Sequence, residues 1–199
     1  MFAYIKGSLE MKFAGYVVID VGGIGYKVFM SENTIEELGE IGNTVKVYTH
    51  YHVREDDISI YGFKTNEELN MFELLLGVSG IGAKSAINML SNITPSSFAL
   101  AVITNDTSKL VKIPGIGAKS AARIVLELKD KLKTIEMTQT QNIQIKEAVQ
   151  DDNKVAEAIS ALQVLGYNKK EIEKALEKID KEGISVEDII RKGLSILGK

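Results

Sequence analysis

The sequence contains no cysteine among its 199 residues. This absence excludes disulfide bonds, cysteine nucleophiles and thiolate metal sites, and it agrees with a cytoplasmic protein. No run of about 18 apolar residues is present, which argues against a membrane-spanning helix. The start, MFAYIKGSLEMKF, lacks the apolar region of a secretory signal peptide. We therefore expect a cytoplasmic globular protein, with 45% hydrophobic residues available for its cores.

An excess of positive charge is missing too, because the net charge of the chain is −3. The charges are unevenly distributed, however. Residues 64–135 carry nine basic and six acidic side chains, whereas residues 1–63 carry five basic and nine acidic ones. A polyanionic partner responds to the local distribution of charge rather than to the total. Residues 64–135 are therefore the candidate surface for such a partner.

The first two segments of the chain differ in hydrophobic period. Residues 1–63 contain five short β-branched or aromatic runs separated by turn signals, which predict a small antiparallel β-barrel. An OB-like barrel is the first choice and an SH3-like barrel the second. In residues 64–135, apolar side chains recur every three or four positions, which predicts four or five short helices.

The remaining residues predict a linker and a further domain. Residues 136–151 are rich in Gln, Thr and Asn and indicate a flexible linker, although the first of them could extend the preceding helix. Residues 152–199 combine helical periodicity with capping patterns at Asn168 and Ser185, which predicts a three-helix bundle. The predicted fold class is a multidomain protein of mixed α and β structure.

One glycine-rich stretch occurs twice in the basic segment. Residues 78–86 read VSGIGAKSA and residues 113–121 read IPGIGAKSA, at a spacing of 35 residues. Glycine allows a positive φ and a close approach to the backbone, and the helix that follows presents unpaired N–H groups that suit a phosphate. The candidate phosphate-binding residues are Gly80, Gly82, Ala83, Lys84, Ser85, Gly115, Gly117, Ala118, Lys119, Ser120 and Arg123.

Three interpretations of this repeat compete. A nucleotide P-loop is disfavoured, because Ala83 separates the glycine from the lysine and the stretch follows a helical run. Two glycine-capped turns without a ligand are the structural alternative. A pair of helix-hairpin-helix motifs is favoured, because two copies can hold the two strands of one duplex across its minor groove. Backbone amides read no base edges there, so we expect binding without sequence preference.

Three consecutive carboxylates, Glu55, Asp56 and Asp57, lie in the run HYHVREDDISIYGF. Such a cluster in a DNA-binding protein suggests a metal-dependent nuclease. Neighbouring strand residues point to opposite faces, however, and no second acidic cluster completes a two-metal site. A charged hairpin tip is the simpler interpretation of this run alone. We predict no catalytic residue, no metal site and no cofactor.

Together these features resemble the RuvA family, the Holliday junction-binding subunits of bacterial branch-migration complexes. The resemblance covers the whole chain in order, including MFAYIKG, HVREDDISIYGF, both GIGAKSA stretches and ALQVLGY. It implies an OB-like barrel, a tandem helix-hairpin-helix domain and a UBA-like bundle of three helices. It also implies sequence-independent binding of four-way DNA junctions in recombination and repair, by one homotetramer or by two.

The resemblance also assigns roles to the acidic run. Glu55 and Asp56 would form an acidic pin at the junction centre, beside Arg54, whereas Asp57 receives no role. Four copies of the pin would repel phosphates at the crossover and so keep the strands apart. Arg54 could attract what the acids repel.

The C-terminal domain would recruit a RuvB-type hexameric ATPase, and a RuvC-type resolvase would be a further partner. Leu162, Leu165 and Tyr167 in ALQVLGY are the candidates for the motor contact, and Leu162 could equally belong to the core of the bundle. The chain has no Walker motif, so it is expected to be a non-catalytic subunit. A DNA glycosylase is disfavoured, since Thr138 and Gln139 stand where its catalytic Asp would be expected.

Overall fold

The computed structural model describes residues 2–140, 150–164, 166–181 and 183–197. Five strands close into a barrel in the order β1-β2-β3-β5-β4. The pairings are antiparallel except for a short parallel pairing of β3 with β5. The predicted OB-like barrel is confirmed. Its elements are β1 (Tyr4–Phe13), β2 (Tyr16–Val21), β3 (Ile24–Phe29), α1 (Glu32–Glu37), β4 (Thr44–Val53) and β5 (Ile58–Phe63).

The alternation of apolar residues along the strands fills the barrel. Along β2, Val17 and Ile19 are fully buried while their neighbours are partly exposed, as expected for side chains with a period of two. Gly7 of β1 lies against the main chain of β2, because a Cβ at this position would overlap the carbonyl oxygen of Asp20. Only glycine therefore allows β1 to pair this closely with β2.

The helical domain follows directly and shares a core with the barrel. Phe63 of β5 packs on Phe72 of α2 with ring centroids 4.9 Å apart. Thr65 and Glu68 form a capping box at the start of α2, and Glu68 also accepts a hydrogen bond from Thr34 of α1 at 3.1 Å. The barrel and the helices are thus held together as one unit. The helices are α2 (Asn66–Leu76), α3 (Ala83–Leu90), α4 (Pro95–Ile103), α5 (Thr107–Val111) and α6 (Ala118–Thr140).

No single helix in the described part of the chain is long and apolar enough to cross a membrane. The helices α3 and α4 meet that criterion only as a pair, and they are bent by 103° relative to each other. In this structure they pack around the shared core with the barrel, where Met89 and Phe98 are buried.

The C-terminal residues form the predicted three-helix bundle, with α7 (Gln150–Val164), α8 (Lys169–Leu176) and α9 (Val186–Leu197) in its described part. The bundle packs against α4, because Ala99 and Ile103 of that helix belong to the core of the bundle. Asn70 of α2 also donates a hydrogen bond to the carbonyl of Gly166 at 3.2 Å. Of the predicted linker, residues 141–149 lie outside the described residues, while α6 continues through Thr140 and α7 begins at Gln150.

Tyr167 lies where the bundle meets α2 and α4, and its pKa reports on this contact. Burial raises the pKa of Tyr167 to about 12, the Glu67 carboxylate also raises it, and a hydrogen bond with Ser96 lowers it. The folded protein therefore favours the neutral phenol. This stabilisation is complete below the ordinary tyrosine pKa of about 10 and is lost as the pH rises through about 12.

We expect a late-titrating tyrosine in the tyrosinate absorbance of the native protein, and Tyr167→Phe should remove it. Burial and the charge of Asp57 raise the pKa of Tyr61 as well, so a late phase from Tyr61 should persist in the variant. A titration curve that Tyr167→Phe leaves unchanged would show that the phenol is not buried at this contact.

Candidate nucleic-acid interface

The first glycine-rich stretch forms a sharp corner between α2 and α3. The chain turns at Gly80, where φ is +85°, and enters α3 with Gly82 as the N-cap residue. Most helices begin with a side chain that accepts a hydrogen bond from the first N–H groups, and Gly82 cannot do so. No side chain in the described part of the chain caps this end of α3. Its first N–H groups thus remain available to an external acceptor.

The second stretch forms the same corner between α5 and α6. Gly115 has a φ of +82°, and Gly117 directly precedes α6. The main-chain hydrogen bonds of the two corners correspond one to one. They are Ile81 N to Val78 O (3.1 Å) and Ala86 N to Gly82 O (3.0 Å) in the first corner, and Ile116 N to Ile113 O (3.0 Å) and Ala121 N to Gly117 O (2.9 Å) in the second.

The packing of the chain does not explain why Gly82 and Gly117 are glycines. Neither has a positive φ, and a Cβ at either position would meet no atom within 4 Å. Both residues are exposed, as are Gly80 and Gly115. A side chain here would obstruct only a partner from outside. The geometry therefore suits a ligand that approaches the bare backbone, such as a phosphate.

The charged residues of both corners also face outward. Lys84 and Lys119 are exposed, and Ser85 and Ser120 are partly exposed. Among the described residues, neither lysine has an ion-pair partner. The structure thus brings ten of the predicted phosphate-binding residues into two outward-facing corners, in each of which a lysine without an ion-pair partner among the described residues lies beside the N-terminal N–H groups of a helix.

Arg123, the eleventh predicted residue, contacts the first corner although it belongs to the second. Its Nη1 donates to the carbonyl oxygen of Ser79 at 3.3 Å. Asn88 of α3 makes the matching contact in the opposite direction, donating from Nδ2 to the carbonyl of Pro114 at 2.6 Å. Both the donors and the acceptors are 35 residues apart, which is the spacing of the sequence repeat. We call these two bonds the reciprocal brace, because each corner holds the other.

Glu127 completes the brace on the side of α6. Its Oε2 accepts a hydrogen bond from the backbone N–H of Ser79 at 3.1 Å, and its Oε1 lies 3.9 Å from Nε of Arg123. Sequence reasoning placed Arg123 on DNA and missed Asn88 and Glu127 altogether. The only available signal was that Asn88 and Arg123 occupy equivalent positions of the repeat.

The acidic run forms the hairpin between β4 and β5. The turn is closed by a hydrogen bond from Arg54 N to Asp57 O at 2.8 Å. Glu55 and Asp56 are exposed at the tip, and Asp56 Oδ1 lies 3.6 Å from Arg54 Nε. The carboxylate of Asp57 accepts a hydrogen bond from Ser59 Oγ at 2.6 Å. Asp57, which the sequence left without a role, thus stabilises the base of the hairpin.

Among the described residues, no group of three or more His, Asp or Glu side chains could hold a metal. His50 instead contacts the Oε1 atom of Glu73 through Nδ1 at 3.1 Å, and its ring packs on Phe72 with centroids 5.3 Å apart. This histidine joins β4 to α2 and has a structural role.

The predicted motor-contact residues lie largely in the interior. Leu162 is fully buried in the core of the bundle, and Tyr167 is only 7% exposed at the contact with α4. Leu165 lies outside the described residues. Of the two roles considered for Leu162, the structure favours a core position. A motor contact through Tyr167 would require the bundle to leave α4.

Two exposed helix-hairpin-helix corners beside a closed barrel define a DNA-binding protein of the tandem helix-hairpin-helix class. Residues 72–130 match the family model of the SAM-like helix-hairpin-helix tandem. Residues 1–62 match that of the RuvA N terminal domain, and residues 153–198 match that of the RuvA C-terminal domain.

Relatives match over nearly the entire chain. Proteins described as "Holliday junction branch migration complex subunit RuvA" are 50% identical in Acetivibrio thermocellus, over all of both chains, and 49% identical in Ruminiclostridium cellulolyticum, over 99% of this chain and all of the relative. A protein of the same description from Clostridium perfringens is 44% identical over 99% of both chains. The chain belongs to the RuvA family.

The reciprocal brace predicts that a residue without a DNA contact of its own affects DNA affinity. Asn88→Ala removes the bond to Pro114, which is worth about 0.5–1.5 kcal/mol. The variant should bind duplex DNA a few-fold more weakly. The slope of log affinity against log salt should stay unchanged, because that slope counts the phosphates that the protein neutralises.

Asn92→Ala is the matched control, since Asn92 lies just beyond the end of α3 and its side chain donates to Asn88 rather than to the second corner. It should bind DNA like the wild type in a fluorescence-anisotropy titration. A lower salt slope for Asn88→Ala would mean that this variant neutralises fewer phosphates than the wild type. If both variants bound DNA with the affinity of the wild type, the brace would not position the corners.

Proposed function

We propose that this protein binds four-way DNA junctions as a homotetramer and holds them open, without catalysing a reaction itself. The observation that carries the proposal is the pair of equivalent exposed corners, each with free helix N–H groups and an unpaired lysine among the described residues. The description of its relatives as subunits of a Holliday junction branch migration complex supports the choice of a junction over linear DNA. The cytoplasm is the proposed place of action.

Each corner holds one phosphate of the duplex backbone. The N–H groups at the start of α3 and α6 donate hydrogen bonds to the phosphate oxygens, and Lys84 and Lys119 add full positive charges. The two corners contact opposite strands of one arm across its minor groove. Because these contacts reach only the backbone, every base sequence is bound equally well.

The acidic pin acts by repulsion. The exposed carboxylates of Glu55 and Asp56, contributed by four subunits, surround the crossover and disfavour close approach of phosphates. At a separation of about 4 Å, a pair of unit charges interacts by about 1 kcal/mol in water and by about 4 kcal/mol near a protein surface. Arg54 lies beside Asp56 and offsets part of this charge. The crossover is therefore kept open without being bound tightly, which allows the strands to exchange.

ATP-driven movement of the junction requires a partner. The C-terminal bundle is proposed to recruit a RuvB-type hexameric ATPase, and a RuvC-type resolvase is a further partner on the same junction. Tyr167 becomes accessible for such a contact when the bundle separates from α2 and α4. Residues 141–149 connect the bundle to the DNA-binding domain.

The protein should bind a synthetic four-way junction much more tightly than a linear duplex of the same length, because only the junction engages four subunits at once. Gel-shift titrations at one salt concentration measure both affinities. A second junction of unrelated sequence should bind as tightly as the first. Equal affinities for the junction and the duplex would remove the junction specificity from the proposal.

Charge reversal in both corners tests the phosphate contacts. Lys84→Glu combined with Lys119→Glu should abolish binding to junction and duplex alike, since each corner then repels the phosphate that it should hold. The control combines Lys170→Glu with Lys178→Glu, two exposed lysines of the bundle, and changes the net charge by the same amount. Full DNA affinity in the corner variant would mean that the corners are purely structural.

Neutralising the two carboxylates of the pin tests whether they repel the junction or help to bind it. Glu55→Gln combined with Asp56→Asn should bind the junction as tightly as the wild type or more tightly, because repulsion of the phosphates is removed. Branch migration driven by the ATPase should change in rate. A collapse of junction binding in this variant would contradict the repulsive role of the carboxylates.

A further inference from the structure

A cavity of about 610 Å³ lies between the barrel and the first corner. Its lining includes Lys27 of β3, Lys84 at the start of α3, and Asp57 at the base of the acidic pin. We call it the barrel–hairpin cavity. It lies between two parts of the chain to which the proposed function assigns opposite actions on DNA, attraction at the corner and repulsion at the pin.

Lys27 is held in place without an ion-pair partner in the described part of the chain. Its Nζ lies 4.3 Å from the ring centroid of Tyr16 and 4.8 Å from that of Phe29. The ammonium group lies over both rings and is attracted to them by cation–π interactions. These contacts leave its N–H groups able to donate hydrogen bonds to an anion. Among the described residues, no carboxylate lies within ion-pair distance of Lys27. A side chain held in this way loses less rotamer freedom when an anion binds.

The charges around the cavity define which ligand it suits. Lys27 and Lys84 are both exposed cations, neither of them ion-paired to any described residue, and they line one cavity. The nearby carboxylate of Asp57 is engaged by Ser59 at 2.6 Å. An anion is therefore favoured at the two lysines and disfavoured further along the hairpin, where the carboxylates of Glu55 and Asp56 are exposed. A DNA strand carries such anions in succession along its backbone.

We propose that Lys27 binds a backbone phosphate of the DNA strand that runs from the first corner towards the acidic pin. The barrel–hairpin cavity is then part of the DNA path, and the barrel contributes attraction as well as repulsion. This inference rests on the proposed function and extends it to a residue outside the helix-hairpin-helix domain. Because the pin marks the junction centre, the contact forms only near the crossover, and a linear duplex held by the corners alone does not need it.

Lys27→Gln tests this contact, with Lys46→Gln as its matched control. Lys46 is also an exposed barrel lysine held over two rings, with Nζ 4.6 Å from the centroids of both Tyr4 and Tyr48, but it does not line the cavity. Lys27→Gln should weaken junction binding by about tenfold. The log–log salt slope should fall by about 0.9 for each phosphate that is no longer neutralised. Linear duplex affinity should change much less, and Lys46→Gln should resemble the wild type in both assays.

The absence of cysteine allows a positional test in the full-length protein. Lys27→Cys and Lys46→Cys each introduce a single thiol. Each variant is mixed with junctions that carry a disulfide-linked tether on one backbone phosphate, either near the crossover or far along an arm. Lys27→Cys should cross-link to tethers near the crossover, while Lys46→Cys should cross-link to neither position. Equal cross-linking of both variants would overturn the proposal.

Two further outcomes would also overturn it. If Lys27→Gln and Lys46→Gln bind the junction with equal affinity, Lys27 makes no phosphate contact. If Lys27→Gln lowers the oligomeric mass measured by light scattering, the cavity is an interface between copies of the chain. The Lys84→Glu and Lys119→Glu variant is assayed in parallel. If this double variant loses DNA affinity while Lys27→Gln keeps it, only the role of Lys27 is rejected. If the double variant keeps full DNA affinity, the proposed function itself is rejected.

Discussion

Helix N–H groups that have no acceptor within the described chain determine how this protein can hold a polyanion. At the start of α3 the residue that would normally cap the helix is Gly82, which has no side chain to do so. Gly117 takes the same place before α6, and neither glycine is required by its φ or by crowding. In the proposed function, a phosphate supplies the missing acceptor and the adjacent lysine supplies the charge. The bonds between the corners and the core shared with the barrel fix where these two corners lie.

In the proposed function, the relative positions of the corners and the pin matter because one molecule both holds and repels the DNA. The reciprocal brace of Asn88 and Arg123 sets one corner against the other. The shared core of the barrel and the helices, centred on Phe63 and Phe72, sets both corners against the acidic pin. A flexible connection would let the phosphates avoid the carboxylates. In the proposed function, a rigid connection makes the strands that the corners hold pass the pin, and the pin keeps them apart at the crossover.

Local sequence patterns predicted the elements and the two corners, because period, glycine and capping residues act within a few positions. The strands, the five helices of the central described part and the bundle follow from such patterns. The brace joins residues 26 and 44 positions apart, and the bundle contact joins Asn70 to Gly166 across 96 positions. No local pattern encodes these distances. Likewise, apolar periodicity could not decide whether Leu162 packs inward or contacts a partner, since both roles favour leucine.

Amide hydrogen exchange with and without duplex DNA measures the phosphate-holding N–H groups themselves. At saturating DNA, the amides of residues 83–85 and of residues 118–120 should be protected together and to a similar degree, with duplexes of unrelated sequence. The exposed barrel strand residues far from the cavity should exchange as before. Saturated binding that leaves either set of amides unprotected would contradict the account, because the duplex would then be held by other groups.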